Sequence, residues 1–303
     1  MKSPSVKAIS IGLVVVVFAL FHFSQSDAKL VVDQMGRSMT VPDTPKRVVS
    51  LAPSITEIIF ALGREDRLKG VTTYSNYPPA ALTLPKVGTY IRLDLERIVA
   101  LNPDLCIAIK DGNPKAAADR LTELNIPVYA VHPRDIETVA QAVTEIGGLL
   151  NAEEKARDLA EQMHVRVQRV KNQVAKTTHR PRVFFQIGVS PIVSIGTDTF
   201  INELIVLAGG ENIAAGSTAY PRFNREQVLS LAPEVIIISS MTRGASFEQI
   251  KAEWQSWPKI PAVKNQRIDI VDSDLFDRPT PRLVEALELL VQLIHPEIFG
   301  NSQ

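Results

Sequence analysis

One cysteine in 303 residues, Cys106, rules out an intramolecular disulfide. It lies inside the apolar run "LCIAI" and reads as a small buried hydrophobe rather than a nucleophile. Net charge is lacking too, because 33 basic residues balance 33 acidic ones, and setting aside residues 1–28 leaves only −1. Such neutrality argues against nucleic acid as a partner. No stretch supplies G-x-S-x-G, G-x-G-x-x-G or a P-loop, and "LAGGEN" lacks both the spacing and the lysine of a phosphate cradle. Hydrolase, dehydrogenase and nucleotide-hydrolase chemistry is left without a foothold, and no catalytic residue is assigned. The histidines number five, His22, His132, His164, His179 and His295. They are scattered, with no pair at metal-ligand spacing, so no metal site is expected.

What is present begins with a targeting pattern. Lys2 and Lys7 precede an apolar run from Ala8 to Phe23, and "SQSDA" puts Ser26 and Ala28 at the two small cleavage positions. Residues 1–28 therefore read as a cleavable signal; the run is short for a membrane span and is broken by Ser10, Gly12 and His22. No cysteine at the junction signals a lipid anchor. An exported chain without disulfides points to the periplasm of a Gram-negative cell. The 275 residues that remain exceed the size at which single cores usually stop growing, which favours two domains.

Strand and helix patterns alternate along the chain. "RVVSLAPSITEIIFALG" reads as a buried strand, a turn through Pro53, and a helix running to Gly63. Asp94 can cap a helix over 95–101, Pro103 stops it, and "LCIAI" is the next strand. "KAAADRLTELN" is a helix, "IPVYAV" a strand and "DIETVAQAVTEIGGLL" a helix. This alternation implies parallel strands with crossover helices. From Asn151, which with Glu154 reads as a capping box, apolar residues recur at helical spacing to about Ala175. At about 1.5 Å per residue such a helix spans about 35 Å. At the C-terminus, Thr280 caps and Pro281 opens a last amphipathic helix.

The second half repeats the first. "LDLERIVALNPDLCIAI" at 93–109 and "FNREQVLSLAPEVIIIS" at 223–239 align at a constant offset of 130. Glu96 matches Glu226, Leu101 matches Leu231, Pro103 matches Pro233, Asp104 matches Glu234 and Ile107 matches Ile237. "ITEIIFALG" at 55–63 is echoed by "INELIVLAGG" at 201–210. The chain is read as two similar α/β lobes, 29–150 and 178–303, with parallel-rich sheets joined by one long helix at 151–177, and with a ligand cleft between the lobes.

Ligands of such folds touch loops at the carboxyl ends of strands. Those loops hold Ser54, Tyr74, Tyr77, Tyr90, Arg92, Tyr220, Phe223, Asp274, Phe276 and Arg278, and four of the five tyrosines in the chain fall among them. Asp274 and Arg278 stand four apart and could simply pair with each other. Stacking rings with polar anchors suit a large, flat, partly polar ligand.

These segments, "RVVSLAPSITEIIFALG", "TYSNYPP", "LERIVALNPDL", "AGGENI", "REQVLSLAPEVIII" and "DLFDRPTPR", resemble in content and order those of periplasmic cobalamin-binding proteins of ABC importers, within the wider group that carries haem and ferric siderophores. The resemblance covers 45–295. It implies two lobes on a rigid bridge, a ligand held without chemistry or resident cofactor, and delivery to an inner-membrane ABC permease with its ATPase by a carrier that is monomeric when free. Carried over by position, Ser54, Tyr74, Tyr90, Tyr220, Asp274 and Arg278 match the corrinoid pocket, with Phe276 beside them. Glu96 and Glu226 match the exposed glutamates that dock on permease arginines, although a carboxylate in a helix first turn also gains about 0.3 to 1 kcal/mol from the macrodipole. Tyr90, Ile109 and Tyr220 stand where some cobalamin binders have tryptophan, which reduces stacking area. "YIR" at 90–92 resembles the Tyr-x-Arg of some haem carriers, displaced by Thr89, so haem is the alternative ligand and a siderophore the next. A sensor domain that presents a ligand to a membrane receptor would share the fold. A cluster-bearing two-lobed enzyme would need more cysteines than Cys106.

Overall fold

The computed structural model describes residues 28–239 and 247–299. Apart from Ala28, the expected signal segment lies outside the described residues. Within them the N-terminal lobe opens on an antiparallel ladder, β1 (Ala28–Val32) against β2 (Ser38–Pro42). There follow β3 (Val48–Ser50), α1 (Pro53–Ala61), β4 (Leu68–Gly70), the short ladder of β5 (Gly88–Thr89) with β6 (Arg92–Leu93), α2 (Leu95–Ala100), β7 (Leu105–Ile109), α3 (Lys115–Glu123), β8 (Val128–Val131) and α4 (Ile136–Leu149). Strands β4, β3, β7 and β8 lie side by side and all parallel. Every residue of β3, β7 and β8 is buried, because helices cover both faces of a sheet built by crossovers. Cys106 is part of this sheet. Burial, with Asp104 adding to it, pushes its thiol up to about 12, so it is the inert apolar residue the sequence implies.

Helix α5 (Glu153–Val174) leaves this lobe, and its 22 residues span about 33 Å. The second lobe contains β9 (Arg182–Gln186), β10 (Ile192–Val193), α6 (Phe200–Leu207), β11 (Glu211–Asn212), β12 (Arg222–Phe223), α7 (Arg225–Leu231), β13 (Val235–Ile238), α8 (Phe247–Gln255), α9 (Pro261–Lys264), β14 (Ile268–Ile270), α10 (Ser273–Phe276) and α11 (Leu283–Ile294). Strands β11, β9, β13 and β14 form its parallel sheet. Two α/β lobes with parallel sheets are therefore present, as the alternation implied.

The repeat at offset 130 is a repeat of structure. Asn102 and Ala232, each preceding the matched proline, share a left-handed backbone at φ 46° and 47°. Asp104 accepts the backbone N–H of Arg47 at 2.9 Å just before β3, and Glu234 accepts that of Arg182 at 3.0 Å, where β9 begins. The same two arginines reach back to carbonyls at the ends of α2 and α7: Arg47 to Leu101 at 2.5 Å, Arg182 to Leu231 at 2.8 Å. In each lobe one acid and one arginine close the helix-to-strand turn, satisfying groups that a helix end leaves open.

The lobes are joined by more than one helix. Ala156 of α5 belongs to the first lobe's core, while Ala160, Met163, Val170 and Val174 belong to the second's. Helix α4 straddles in the same way, giving Val143 and Ile146 to the first core and Ile136, Val139 and Ala140 to the second. Gly147 lets the pair close, since a Cβ there would stand 2.3 Å from the Cβ of Ala156. Glu203 of α6 accepts the Ile136 N–H at 2.7 Å, so a side chain of one lobe caps a helix of the other.

Two caps differ from expectation. Asn151 does not cap α5: it takes a left-handed φ of 56° after α4, and the N-cap position falls on Ala152, which makes no side-chain cap bond. Asn suits both roles, and the αL end of α4 wins. Likewise α11 begins at Leu283 with Arg282 at its N-cap, and Thr280 Oγ1 accepts the Arg282 N–H from outside the helix.

Candidate ligand cleft

Tyr90 and Ile91 form the tip of the hairpin between β5 and β6, in which Thr89 pairs with Arg92. Asn113, past the end of β7, holds this tip in place. Its amide nitrogen donates to the carbonyls of Tyr90 at 2.7 Å and Leu51 at 2.8 Å, and its oxygen accepts the Ile109 N–H at 2.8 Å. Gly112 is required beside it, with φ at 138° and the Tyr90 ring 2.9 Å from where a Cβ would be. Tyr74, on the loop after β4, meets Tyr90 edge to face, 6.2 Å between centroids at 65°.

The second lobe uses a parallel device. The ladder of β10 with β12 carries the loop that ends at Tyr220, and the Ser194 and Gly196 N–H groups donate to the carbonyls of Pro221 and Ala219 on either side of it. Tyr220 is 57% exposed. Partial burial raises its phenol pKa, and the neighbouring charges of Asp111 and Asp277, then Tyr90, raise it further. Tyr220 of the second lobe is thus within electrostatic reach of Tyr90 and Asp111 of the first.

Arg278 ties the loop of Tyr74 to the second lobe. It is 8% exposed. Its Nη1 donates to Glu57 at 2.9 Å and Asn76 at 2.8 Å, and its Nη2 to the Tyr74 carbonyl at 3.1 Å and Asp274 at 2.5 Å. Among the described residues only its Nε–H is left over. Asn76 returns a bond to Asp274 at 2.5 Å, and Arg282 donates to the second oxygen of Glu57 at 2.8 Å while stacking 3.7 Å above the Tyr77 ring. The Asp274–Arg278 pair is thus no surface ion pair. It belongs to a buried network tying α1 and the 74–77 loop to the start of α11.

The expected site residues divide accordingly. Tyr74 and Tyr90 come together, Tyr220 lies within electrostatic reach of Tyr90, and Asp274 and Arg278 are linked to the pair through the Tyr74 carbonyl. Phe276 is corrected: it is 0% exposed and packs 5.9 Å from Phe185 in the second lobe's core. The apolar burial that drives the turn of α10 directs its ring inward. Ser54 lies in the first turn of α1 at 3% exposure, too enclosed for the broad contact expected of it. Phe223 packs edge to face on Phe184 at 5.5 Å. Glu96 and Glu226 are exposed, and neither makes a hydrogen bond or ion pair among the described residues. Their helices are capped by others, α2 by Asp94 and α7 by the Asn224–Gln227 box. Of the histidines, His132, His164, His179 and His295 each meet a carboxylate at 2.7 to 3.0 Å, and the described residues contain no group of three or more His, Cys, Asp or Glu fit to hold a metal. No helix among them is long and apolar enough to cross a membrane.

Sequence reading missed Asn113, Glu57, Arg282, Asp277 and Ser239. Asp277 is a half-buried carboxylate whose two oxygens each accept the Ser239 hydroxyl at 3.0 Å. Burial pushes it up to about 7. The available signal was a Glu inside the apolar helix "ITEIIFA", where a buried charge needs a partner.

Two α/β lobes joined through α4 and α5, with aromatic loops on each, have the architecture of a ligand-capturing body. A family model described as "Periplasmic binding protein" matches residues 48–275, and the chain belongs to that family of substrate-binding proteins. A "Vitamin B12-binding protein" of Yersinia pestis (strain Pestoides F) is 33% identical over 256 residues, 84% of this chain and 88% of that one. Among solved structures, the periplasmic vitamin B12-binding protein BtuF of Vibrio cholerae superposes with a TM-score of 0.74 at 31% identity, over 86% of this chain and 100% of that one. A periplasmic haem-binding protein from Pseudomonas aeruginosa gives 0.76 at 25%, over 83% and 93%.

Proposed function

We propose that this protein captures a corrinoid, cobalamin or a close relative, in the periplasm and delivers it to an inner-membrane ABC permease, performing no chemistry on it. The observation that carries the reading is the edge-to-face pair of Tyr74 and Tyr90 in one lobe, with Tyr220 of the other lobe close enough to Tyr90 to act on it electrostatically. Three rings from two lobes suit a broad, flat macrocycle. The likeness to proteins named for vitamin B12 supports the same ligand class. The N-terminal signal pattern supports export. Glu96 and Glu226, uncommitted on matched helices, serve as the two docking handles for the permease.

Because the tyrosines supply stacking area directly, Tyr90→Ala and Tyr220→Ala should each weaken cyanocobalamin binding by about 1 to 3 kcal/mol, roughly 5- to 150-fold in Kd. Isothermal titration of the purified variants reads this. Unchanged affinity in both would place the ligand elsewhere.

A further inference from the structure

We infer that Asp277, held by Ser239, is a specificity-determining residue of the cleft, admitting ligands that present a primary amide at that wall and turning away those that present a carboxylate. The inference rests on the corrinoid reading, since a corrinoid rim is lined with amides.

The geometry comes first. Ser239 is fully buried at the carboxyl end of β13, and its hydroxyl donates across both Asp277 oxygens at 3.0 Å. Asp277 itself keeps part of its surface and acts on the Tyr220 phenol, which also feels Asp111 and Tyr90 of the opposite lobe. With Ser239 it stands at the carboxyl end of the second lobe's parallel sheet, the edge at which ligands of such folds are held. The groups around it are Asp272, Asp274 and Arg278 from its own segment, Ser239 from β13 and Tyr220 from the loop before β12. Arg278 is the cation of this set, and Glu57 and Asp274 already engage it. Among the described residues, the groups named here carry more negative charge than positive.

Chemistry follows from the proton. Burial is the largest influence raising this carboxyl to about 7, the Ser239 hydrogen bond opposes it, and Asp274 raises it further. Ionised, Asp277 accepts from an amide N–H; protonated, it donates to an amide carbonyl. A primary amide is satisfied in both states. A carboxylate offers acceptors alone, so above about pH 7 two anions face each other and the wrong ligand is rejected by repulsion. Haem propionates and other acidic rims would meet the same wall.

The probes are cyanocobalamin and its monocarboxylic acids, each with one side-chain amide hydrolysed, titrated against the full mature protein. At about pH 8 one isomer should bind about tenfold more weakly than cyanocobalamin, as expected for one uncompensated like-charge contact. That gap should close by about pH 6, where Asp277 is protonated and the probe is still an anion. Asp277→Asn should abolish the gap at pH 8 and remove its pH dependence. His132, bonded to Asp111 at 3.0 Å, belongs to the opposite lobe, and loss of the pH dependence in Asp277→Asn assigns that dependence to Asp277. Ser239→Ala should keep the gap at pH 8 but move its closure to higher pH, because the hydroxyl stabilises the ionised form. No gap for any isomer, or a gap that survives Asp277→Asn, overturns the inference while leaving cyanocobalamin binding in place. Failure of the wild type to bind cyanocobalamin would instead overturn the corrinoid reading, and this inference with it.

Discussion

Glu57→Ala is expected to lower the stability of the folded protein by about 3 to 5 kcal/mol, the cost of leaving a buried ion without its partner. Glu57 has side-chain exposure of 3% and divides its two oxygens between Arg278 and Arg282, themselves 9% and 16% exposed. Removing it strands two guanidinium groups at the junction of the lobes. Arg278 keeps Asp274 and the Tyr74 carbonyl, whereas Arg282 keeps the Asp274 carbonyl and the Tyr77 ring, so the damage falls more heavily on Arg282. Urea denaturation reads the change as a lower midpoint at constant slope. A loss below about 1 kcal/mol would show that the pairs behave like exposed surface bridges. The same network fastens α1 and the 74–77 loop to the start of α11.

The second large effect is functional. Glu96→Ala combined with Glu226→Ala should abolish stimulation of the reconstituted transporter's ATPase while ligand affinity stays at the wild-type level. The two carboxylates are exposed on matched helices and make no bond among the described residues, and the N-terminal N–H groups of those helices are served by Asp94, Asn224 and Gln227. Stability should change only by the macrodipole contribution of about 0.3 to 1 kcal/mol per residue. Intact stimulation in the double variant would remove the docking role. A fall in ligand affinity would return both residues to the pocket.

The alternation of strands and helices was legible because each element is written in a local period, and the offset of 130 revealed the shared plan because the turn before Pro103 and Pro233 demands the same few residues twice. Its acids also proved structural, Asp104 and Glu234 holding the arginines of neighbouring strands. Caps were less legible. Asn151 satisfies the rules for starting one helix and for ending another, and only packing decides. The cleft was read in part: its tyrosines stand out by type and loop position, whereas Glu57 meets Arg278 across 221 residues, a pairing no local pattern contains. Phe276 misled because a four-residue helix has too little periodicity to separate an inward from an outward ring. Asp277 and Ser239 stand 38 positions apart, and neither is unusual until the fold joins them.

The central claim is tested most directly by titrating the purified mature protein with cyanocobalamin, cobinamide and hemin in parallel, following absorbance and melting temperature. A corrinoid should bind tightly and raise the melting temperature by linkage, about 4 kcal/mol of added stability at a thousandfold excess over Kd, with hemin far weaker. Tight hemin binding with a tyrosinate-like spectrum, together with no response to either corrinoid, would contradict the account.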